Sequence, residues 1–353
     1  PLATGAMASV DASTQEEIAR FMDVFLEVKS NYVEPVSDDK LIEGAINGML
    51  ASLDPHSGYL DARGFSNLRT QTDGEYGGLG LSVTMEDGVV KVIAPTADTP
   101  AARAGIKAGD YITHINKELI FGLTLDEAVE QMRGRPGTQI EITVVREGQD
   151  KPMELTLTRE IIDLKPVKWE VKDDVGVLTV TNFSTDATRD LKAAMLAVEK
   201  SLGRKPRGWV LDLRSNPGGL LDEAVGISDI FLERGEIVSQ RGRKKSDIER
   251  YFAEPGDLAQ GAPVIVLIDA GSASASEIVA GALQDQHRAA VMGERSFGKG
   301  SVQTVLPLTD TTALRLTTAR YYTPSGRSVQ EGGIEPDIRV PQLSDPDYKN
   351  RPR

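Results

Sequence analysis

The sequence contains no cysteine, three histidines, two tryptophans and no uninterrupted apolar run of the ~18 residues that a membrane-spanning helix needs. Without cysteine there is neither a thiol nucleophile nor a disulfide framework, a composition compatible with an oxidising compartment but not requiring one. Positive charge is also short: 40 Lys and Arg against 53 Asp and Glu leave a net charge of −13. Such a surface repels a phosphate backbone unless a basic patch is segregated, and the one basic cluster, Arg241 to Lys245, reads as a solvated loop. No nucleic-acid partner is expected. The histidines offer little to an enzyme. His56 follows Asp54-Pro55 in a turn, His114 lies between Ile112 and Ile115 in a strand-like segment, and His287 ends a helical stretch after Gln284-Asp285-Gln286. None stands where an imidazole would activate a nucleophile.

What is present suits a multidomain globular chain: 353 residues, 40% apolar and 26% charged, enough for two or three cores. Residues 1–9, PLATGAMAS, read like a cloning remnant, so a native signal peptide or anchor is expected to have been removed. Residues 10–73 carry helical periodicity. Ser13 and Glu16 form a capping box, and Ile18, Phe21, Met22, Phe25 and Val28 an apolar stripe that Pro35 ends. A second helix begins near Ser37, with Leu41, Ile42, Ala45, Ile46, Met49, Leu50 and Leu53 on one face, before the turn LDPHSGYL. Two amphipathic helices cannot build a large core alone, so they must pack on another domain or another subunit.

Residues 74–160 open on Gly77-Gly78-Leu79-Gly80-Leu81 and an alternating strand, Ser82 to Met85. A glycine loop can turn consecutive N–H groups toward one carboxylate, and the strand after it offers an edge to an extended peptide. Further on come the Ala104-Gly105-x-x-x-Gly109-Asp110 turn and a helix capped by Thr124 and Glu127, with Leu125, Ala128, Val129 and Met132 on its apolar face and Gly134 as its stop. Taken together these features resemble a PDZ domain. That resemblance implies a module for free C-terminal tails, with Gly78, Leu79, Gly80 and Leu81 as the carboxylate loop.

Residues 161–341 alternate strands and helices like an α/β core, and 342–353 form a polar, loose tail. Val175 to Val180 and Trp209 to Leu213 read as strands, with Leu191, Ala194, Met195, Val198 and Leu202 as a helical face between them. The second strand leads into DLRSNPGG, a tight glycine loop that leaves N–H groups unpaired and lets a carbonyl approach closely. A third strand, Pro263 to Ile268, passes through a serine-rich turn to a helical face at Ile278, Ala282 and Leu283. Ser274 therefore stands where a strand hands over to a helix, beside free N–H groups and the positive end of the helix dipole. Serine needs a base. With the histidines set aside, Lys299 in FGKG is the candidate, because a lysine desolvated among apolar groups loses its proton more easily. Gly293 to Lys299 also fits the opening of a phosphate-binding loop, GxxxxGK, but Gly300 stands where its magnesium-binding Ser or Thr belongs.

The run GSASASE followed by FGKGxxQ, together with YYTPSGR and GIEPDI, resembles the carboxyl-terminal processing peptidases, also called tail-specific proteases. The resemblance extends from the first helices to Pro341. It implies an α+β/α/β multidomain fold: an N-terminal helical segment, a PDZ domain, and an α/β serine-protease core of the tail-specific (ClpP/crotonase-like) type. It assigns Ser274 as nucleophile, Lys299 as base, Gln303 as the third member, and the N–H groups of Gly219 (with Gly218 the neighbouring alternative) and Ala275 as the oxyanion hole. Neither a metal nor an organic cofactor is implied. The expected partners are proteins with exposed C-terminal tails, a second copy of the chain and an adaptor or activator, and the expected location is the bacterial periplasm. Two other readings stay open: a protease latent until a partner activates it, and a PDZ-bearing peptide-binding scaffold.

Overall fold

The computed structural model describes residues 11–341 other than 87, 97, 150 and 331; the segments read as tag remnant (1–9) and tail (342–353) lie outside the described residues. The chain divides into two compact units. One holds the described residues up to Phe65 together with Val302–Ala319, and the other holds Ser66–Ser301 with the residues from Arg320 onward. A late stretch of chain thus joins the N-terminal region instead of the segments next to it in sequence.

In the first unit, α1 (Ala12–Asn31) is capped by Asp11, whose carboxylate accepts the Thr14 N–H at 2.9 Å. The expected cap, Ser13, lies inside the helix instead. A carboxylate suits that end better than a hydroxyl, because it also complements the helix dipole. No residue of α1 is buried, and its stripe stays open to solvent, with Ile18, Phe21 and Met22 each more than 40% exposed. Ser37 caps α2 (Asp38–Ala51), of which Leu50 alone is buried. The LDPHSGYL turn then enters β1 (Gly58–Leu60), and α3 (Ala62–Asp73) leads into the second unit.

The first part of the second unit runs β2 (Glu75–Gly78), β3 (Leu81–Glu86), β4 (Val89–Pro95), α4 (Pro100–Arg103), β5 (Tyr111–Ile115), β6 (Glu118–Leu119), α5 (Leu125–Met132), β7 (Gln139–Val145), β8 (Met153–Thr158) and β9 (Glu160–Asp163). Its antiparallel sheet has the order β3-β4-β5-β7-β8, so β3 is an edge strand, and alternate residues such as Val90, Val92, Ile112, Ile140 and Ile142 form the core. Pairing of β2 with β9 closes the segment at its base. The capping box of α5 forms as read: Thr124 N–H donates to Glu127 Oε2 (2.8 Å) and Glu127 N–H to Thr124 Oγ1 (3.3 Å).

The remainder runs β10 (Val167–Lys172), β11 (Val175–Val180), α6 (Ala187–Leu202), β12 (Gly208–Asp212), α7 (Leu221–Asp229), β13 (Glu236–Gly242), β14 (Ile248–Phe252), β15 (Val264–Ile268), α8 (Ala275–Asp285), β16 (Ala289–Gly293), β17 (Ser301–Pro307), β18 (Ala313–Tyr322) and β19 (Ile338–Arg339). Strands β11, β12, β15, β16 and β19 are parallel neighbours in that order, with β10 antiparallel at one edge. Sequences such as VIVLI and WVL fit strands with neighbours on both sides and helices over their faces. In the first unit β18 is flanked by β1 and β17.

One ion pair anchors the first sheet. Asp110 is fully buried and takes both Arg146 Nε (2.7 Å) and Nη2 (2.8 Å) as well as the Lys107 N–H (2.8 Å). The Arg146 guanidinium, aided by that N–H, holds the Asp110 carboxyl below the usual carboxylate range despite its burial. A depressed folded-state value gives stability that is present above the unfolded value near pH ~4 and is lost as pH falls through the folded one. Replacing Asp110 by Asn should lower stability by about 3 kcal/mol at neutral pH. Melting curves across acid pH check this: the wild type should lose Tm below about pH 4 more steeply than Asp110→Asn.

Candidate active site

Strands β12 and β15 lie side by side and parallel, with Asp212 opposite Leu267, so the loops leaving their carboxyl ends are neighbours. In open parallel sheets ligands bind at those ends. The two loops are laced together. Leu213 N–H donates to Leu267 O (3.0 Å), Ala273 N–H to Asn216 O (3.0 Å), and the Ser272 and Ser276 hydroxyls to Leu213 O (2.8 Å) and Asn216 O (2.9 Å). Asp269 receives the Ser215 N–H (2.8 Å), the Gly271 N–H (2.9 Å) and the Ser215 hydroxyl (3.1 Å). Its burial raises the carboxyl's pKa, but these donors outweigh it and the net shift is downward.

Ser274 sits at the head of α8 with φ 56° and ψ −113°, a backbone conformation that costs a non-glycine residue roughly 1–3 kcal/mol. The chain reverses there so sharply that the NPGG loop meets it. A Cβ on Gly218, whose φ is +103°, would lie 2.8 Å from Ser274 Cβ and 2.9 Å from Ala275 N. Gly218 donates its N–H to Asn216 Oδ1 (2.9 Å), whereas the N–H of Gly219 has no acceptor among the described residues. Of the two glycines read as oxyanion donors, Gly219 is thus the one with a hydrogen to give.

The residue that unites the site is Glu277, the acid that ends the GSASASE run. It is fully buried, yet its carboxylate receives four donors: the N–H of Ser274 (Oε2, 2.7 Å), of Lys299 (Oε2, 2.9 Å) and of Gly298 (Oε1, 2.7 Å), and the Ser296 hydroxyl (Oε1, 2.5 Å). Ser296 Oγ itself accepts the Ile334 N–H (2.6 Å), which directs its own hydrogen at Glu277. Burial pushes the Glu277 carboxyl above its ordinary value, and the four donors work against that rise. One oxygen therefore holds the backbone at both Ser274 and Lys299. Lys299 is half-buried, and its loop is pinned further by Phe297 N–H to Ser272 O (3.0 Å) and Tyr321 N–H to Gly300 O (2.7 Å). A signal for Glu277 was legible: Ser274 and Glu277 have capping-box spacing, and the acid interrupts an otherwise apolar helix.

Gln303 lies on β17 in the first unit, where its Nε2 donates to Thr317 Oγ1 (3.2 Å). In the β3 region, Leu79 is buried and Gly80, at φ +76°, packs so close to Thr99 that a Cβ would be 2.4 Å from it. The N–H groups of Leu79 and Gly80 have no acceptor among the described residues, while Gly78 and Leu81 belong to β2 and β3 on either side. The loop is tied to the end of α5 by Gly134 N–H to Gly77 O (3.1 Å).

A parallel sheet carrying a strained serine beside an open N–H, joined to a sheet with an exposed edge and a glycine loop, defines a serine-type peptidase with a peptide-binding module. Comparison with known proteins agrees. Residues 174–340 match Peptidase family S41, residues 77–157 match the PDZ domain, and residues 3–64 match the activating protease CtpB N-terminal domain. A carboxy-terminal-processing protease of Bartonella bacilliformis is 54% identical over 340 residues, covering 96% of this chain and 78% of that one. Carboxy-terminal processing protease CtpA of Bacillus subtilis is 34% identical, covering 92% and 69%. A probable CtpA-like serine protease of Staphylococcus epidermidis is 35% identical, covering 93% and 65%. Among solved structures, a photosystem II D1 C-terminal processing protease aligns with TM-score 0.54 at 28% identity, over 91% of this chain and 92% of that one. The chain belongs to the carboxy-terminal-processing proteases.

Two substitutions test the geometry. Glu277→Gln turns an amide donor toward N–H groups that already donate, leaving buried donors unmatched at about 1–3 kcal/mol each. It should lower Tm and reduce kcat by ~10²-fold through misplacement of the two loops. Gly218→Ala adds a methyl against Ser274 and Ala275 N and should cost at least ~10²-fold in kcat/KM, the scale of one lost oxyanion donor, with the far-ultraviolet circular dichroism of the folded protein retained.

Proposed function

We propose that this chain is an endopeptidase that takes the C-terminal tail of a protein substrate in its PDZ domain and cleaves the substrate through an acyl-enzyme on Ser274. The observation that carries the reading is the single Glu277 oxygen shared by the Ser274 and Lys299 N–H groups. Neutral Lys299 Nζ takes the proton from Ser274 Oγ as that oxygen attacks the scissile carbonyl carbon. The resulting oxyanion receives the N–H of Gly219 and of Ala275, the first residue of α8, where the helix dipole adds its positive end. The lysine proton then passes to the leaving amine and the C–N bond breaks. A water molecule gives a proton to the same lysine as its oxygen attacks the ester carbon; the lysine returns that proton to Ser274 Oγ as the C–O bond breaks, which releases the second product as an acid and restores the enzyme. Gln303 supplies the acceptor that orients the lysine. In the PDZ segment, the tail's carboxylate meets the N–H groups of Leu79 and Gly80 while its backbone extends the sheet at β3.

A second reading is a protease held latent until a tail or an activator opens it, since gating by loops and domains of this kind is physically ordinary. The open apolar stripe of α1 suits a second copy of the chain, consistent with a homo-oligomer, and we place the enzyme in the bacterial periplasm.

The test is degradation of an unstructured protein ending in an apolar tail, by the wild type, Ser274→Ala and Lys299→Ala, with the tail's carboxylate free or amidated. Cleavage by the wild type alone, slowed at least tenfold in kcat/KM by amidation, is the expected result. Equal cleavage by all three overturns the dyad. Tail binding without cleavage, with or without added activators, favours a scaffold instead.

A further inference from the structure

The LDPHSGYL turn is built more tightly than a connection between α2 and β1 requires. Asp54 Oδ1 accepts the N–H groups of His56 and Ser57 (both 2.8 Å), and its Oδ2 accepts the Ser57 hydroxyl (2.9 Å). Ser57, itself buried, takes the Thr317 N–H (3.1 Å) on its oxygen, and Arg315 Nε donates to His56 O (2.9 Å). The turn is thus bolted to β18, in register through Gly58 opposite Arg315. Two hydrogen bonds then lead away from it: Thr317 Oγ1 to Asp54 Oδ1 (3.2 Å) and Gln303 Nε2 to Thr317 Oγ1 (3.2 Å).

Donor and acceptor capacities give this chain a direction. An ionised carboxylate only accepts, and the donors around Asp54, outweighing its burial, hold its carboxyl below the usual range. The single Thr317 hydroxyl hydrogen therefore goes to Asp54. Its oxygen is left as an acceptor; the Ser57 hydroxyl lies 3.5 Å from it but makes the shorter bond to Asp54 (2.9 Å), and of the two ends of the Gln303 amide the NH₂ is the one that can donate to it. With the donor end committed to Thr317, the amide presents its carbonyl oxygen on the opposite side. A carbonyl is the group that can accept a hydrogen bond from an ammonium or from the N–H of a neutral amine.

We propose that Asp54 and Thr317 are positioning residues for the peptidase reaction: through their hydrogen-bonded relay they fix which end of the Gln303 amide faces Thr317 and which end faces away from it. The inference rests on the role given to Gln303 above, and neither Asp54 nor Thr317 touches the substrate. Thr317→Val removes the hydroxyl while keeping the β-branched shape, and lets the amide turn over. Thr317→Ser restores the hydroxyl.

The experiment is steady-state kinetics on a tail-bearing substrate for Thr317→Val, Thr317→Ser and Asp54→Asn, the first also combined with Gln303→Ala, with a Tm for each variant. Thr317→Val should lower kcat about tenfold, the scale of one hydrogen bond, with KM changed less than about twofold. Thr317→Ser should return kcat to within about twofold of the wild type at the same Tm as Thr317→Val. In the Gln303→Ala background Thr317→Val should add less than about a further twofold, because the group it orients has gone. Asp54→Asn also disturbs the turn, so its kcat is read beside its Tm and the Thr317 pair carries the decision. Wild-type kcat in Thr317→Val, no rescue by serine, or a full additional tenfold loss on top of Gln303→Ala would each overturn the relay. An unimpaired Gln303→Ala overturns the relay while an inactive Ser274→Ala keeps the peptidase reading. Activity that survives Ser274→Ala strikes both.

Discussion

An ionised carboxylate without water is expensive, and Glu277 is among the most deeply buried polar residues of the chain. It is tolerated because four donors converge on its two oxygens, and three of them are backbone N–H groups that have no intrahelical or intrastrand partner of their own. The exchange is mutual: the turn at Ser274 and the loop at Lys299 would leave N–H groups unsatisfied without the acid, and the acid would be untenable without the loops. This constraint fixes the separation of the two loops at the backbone. The strand order β12-β15-β16 supplies the ends from which these loops leave, and α8 supplies the acid.

The bracing extends beyond the Ser274 and Lys299 loops. Phe183 N–H donates to Gly218 O (3.1 Å) and Leu220 N–H to Phe183 O (2.7 Å), so the segment after β11 clasps the NPGG loop from its other side. The same segment holds the entry to the PDZ region, with Thr185 N–H on Thr72 O (2.8 Å) and Asn182 Nδ2 on Gln71 O (2.9 Å). A short stretch, Asn182 to Thr185, therefore shares its hydrogen bonds between the chain leading into the PDZ sheet and the NPGG loop, within one compact unit.

Most of this arrangement was legible in the sequence because it is written in local patterns. Strand β11 coincides with the apolar run Val175 to Val180, α5 carries the capping box read from Thr124 and Glu127, and the face Leu191, Ala194, Met195 and Val198 is buried as its spacing requires. The motif GSASASE with FGKG, read through family resemblance, drew attention to residues that prove to share one anchor. What was not legible depends on contacts distant in sequence. Glu277 looks like a helix cap until the FGKG loop is folded onto it, and Asp54 looks like a turn residue until β18 brings Thr317 beside it across more than 250 positions. Nor does periodicity reveal that Val302–Ala319 joins the N-terminal helices, or that the stripe of α1 finds no burial among the described residues. An amphipathic pattern states that a face is apolar; it does not say what covers it.

In the function proposed for this chain, the geometry around Glu277 serves a covalent reaction at Ser274 driven by Lys299. The most direct measurement is mass spectrometry of the enzyme quenched in acid during turnover of an activated ester substrate, followed by proteolytic mapping. The account predicts a mass increase equal to the acyl half of the substrate on the peptide containing Ser274, absent in Lys299→Ala. Turnover with the acyl group on another residue, or acylation of Ser274 undiminished in Lys299→Ala, would contradict it.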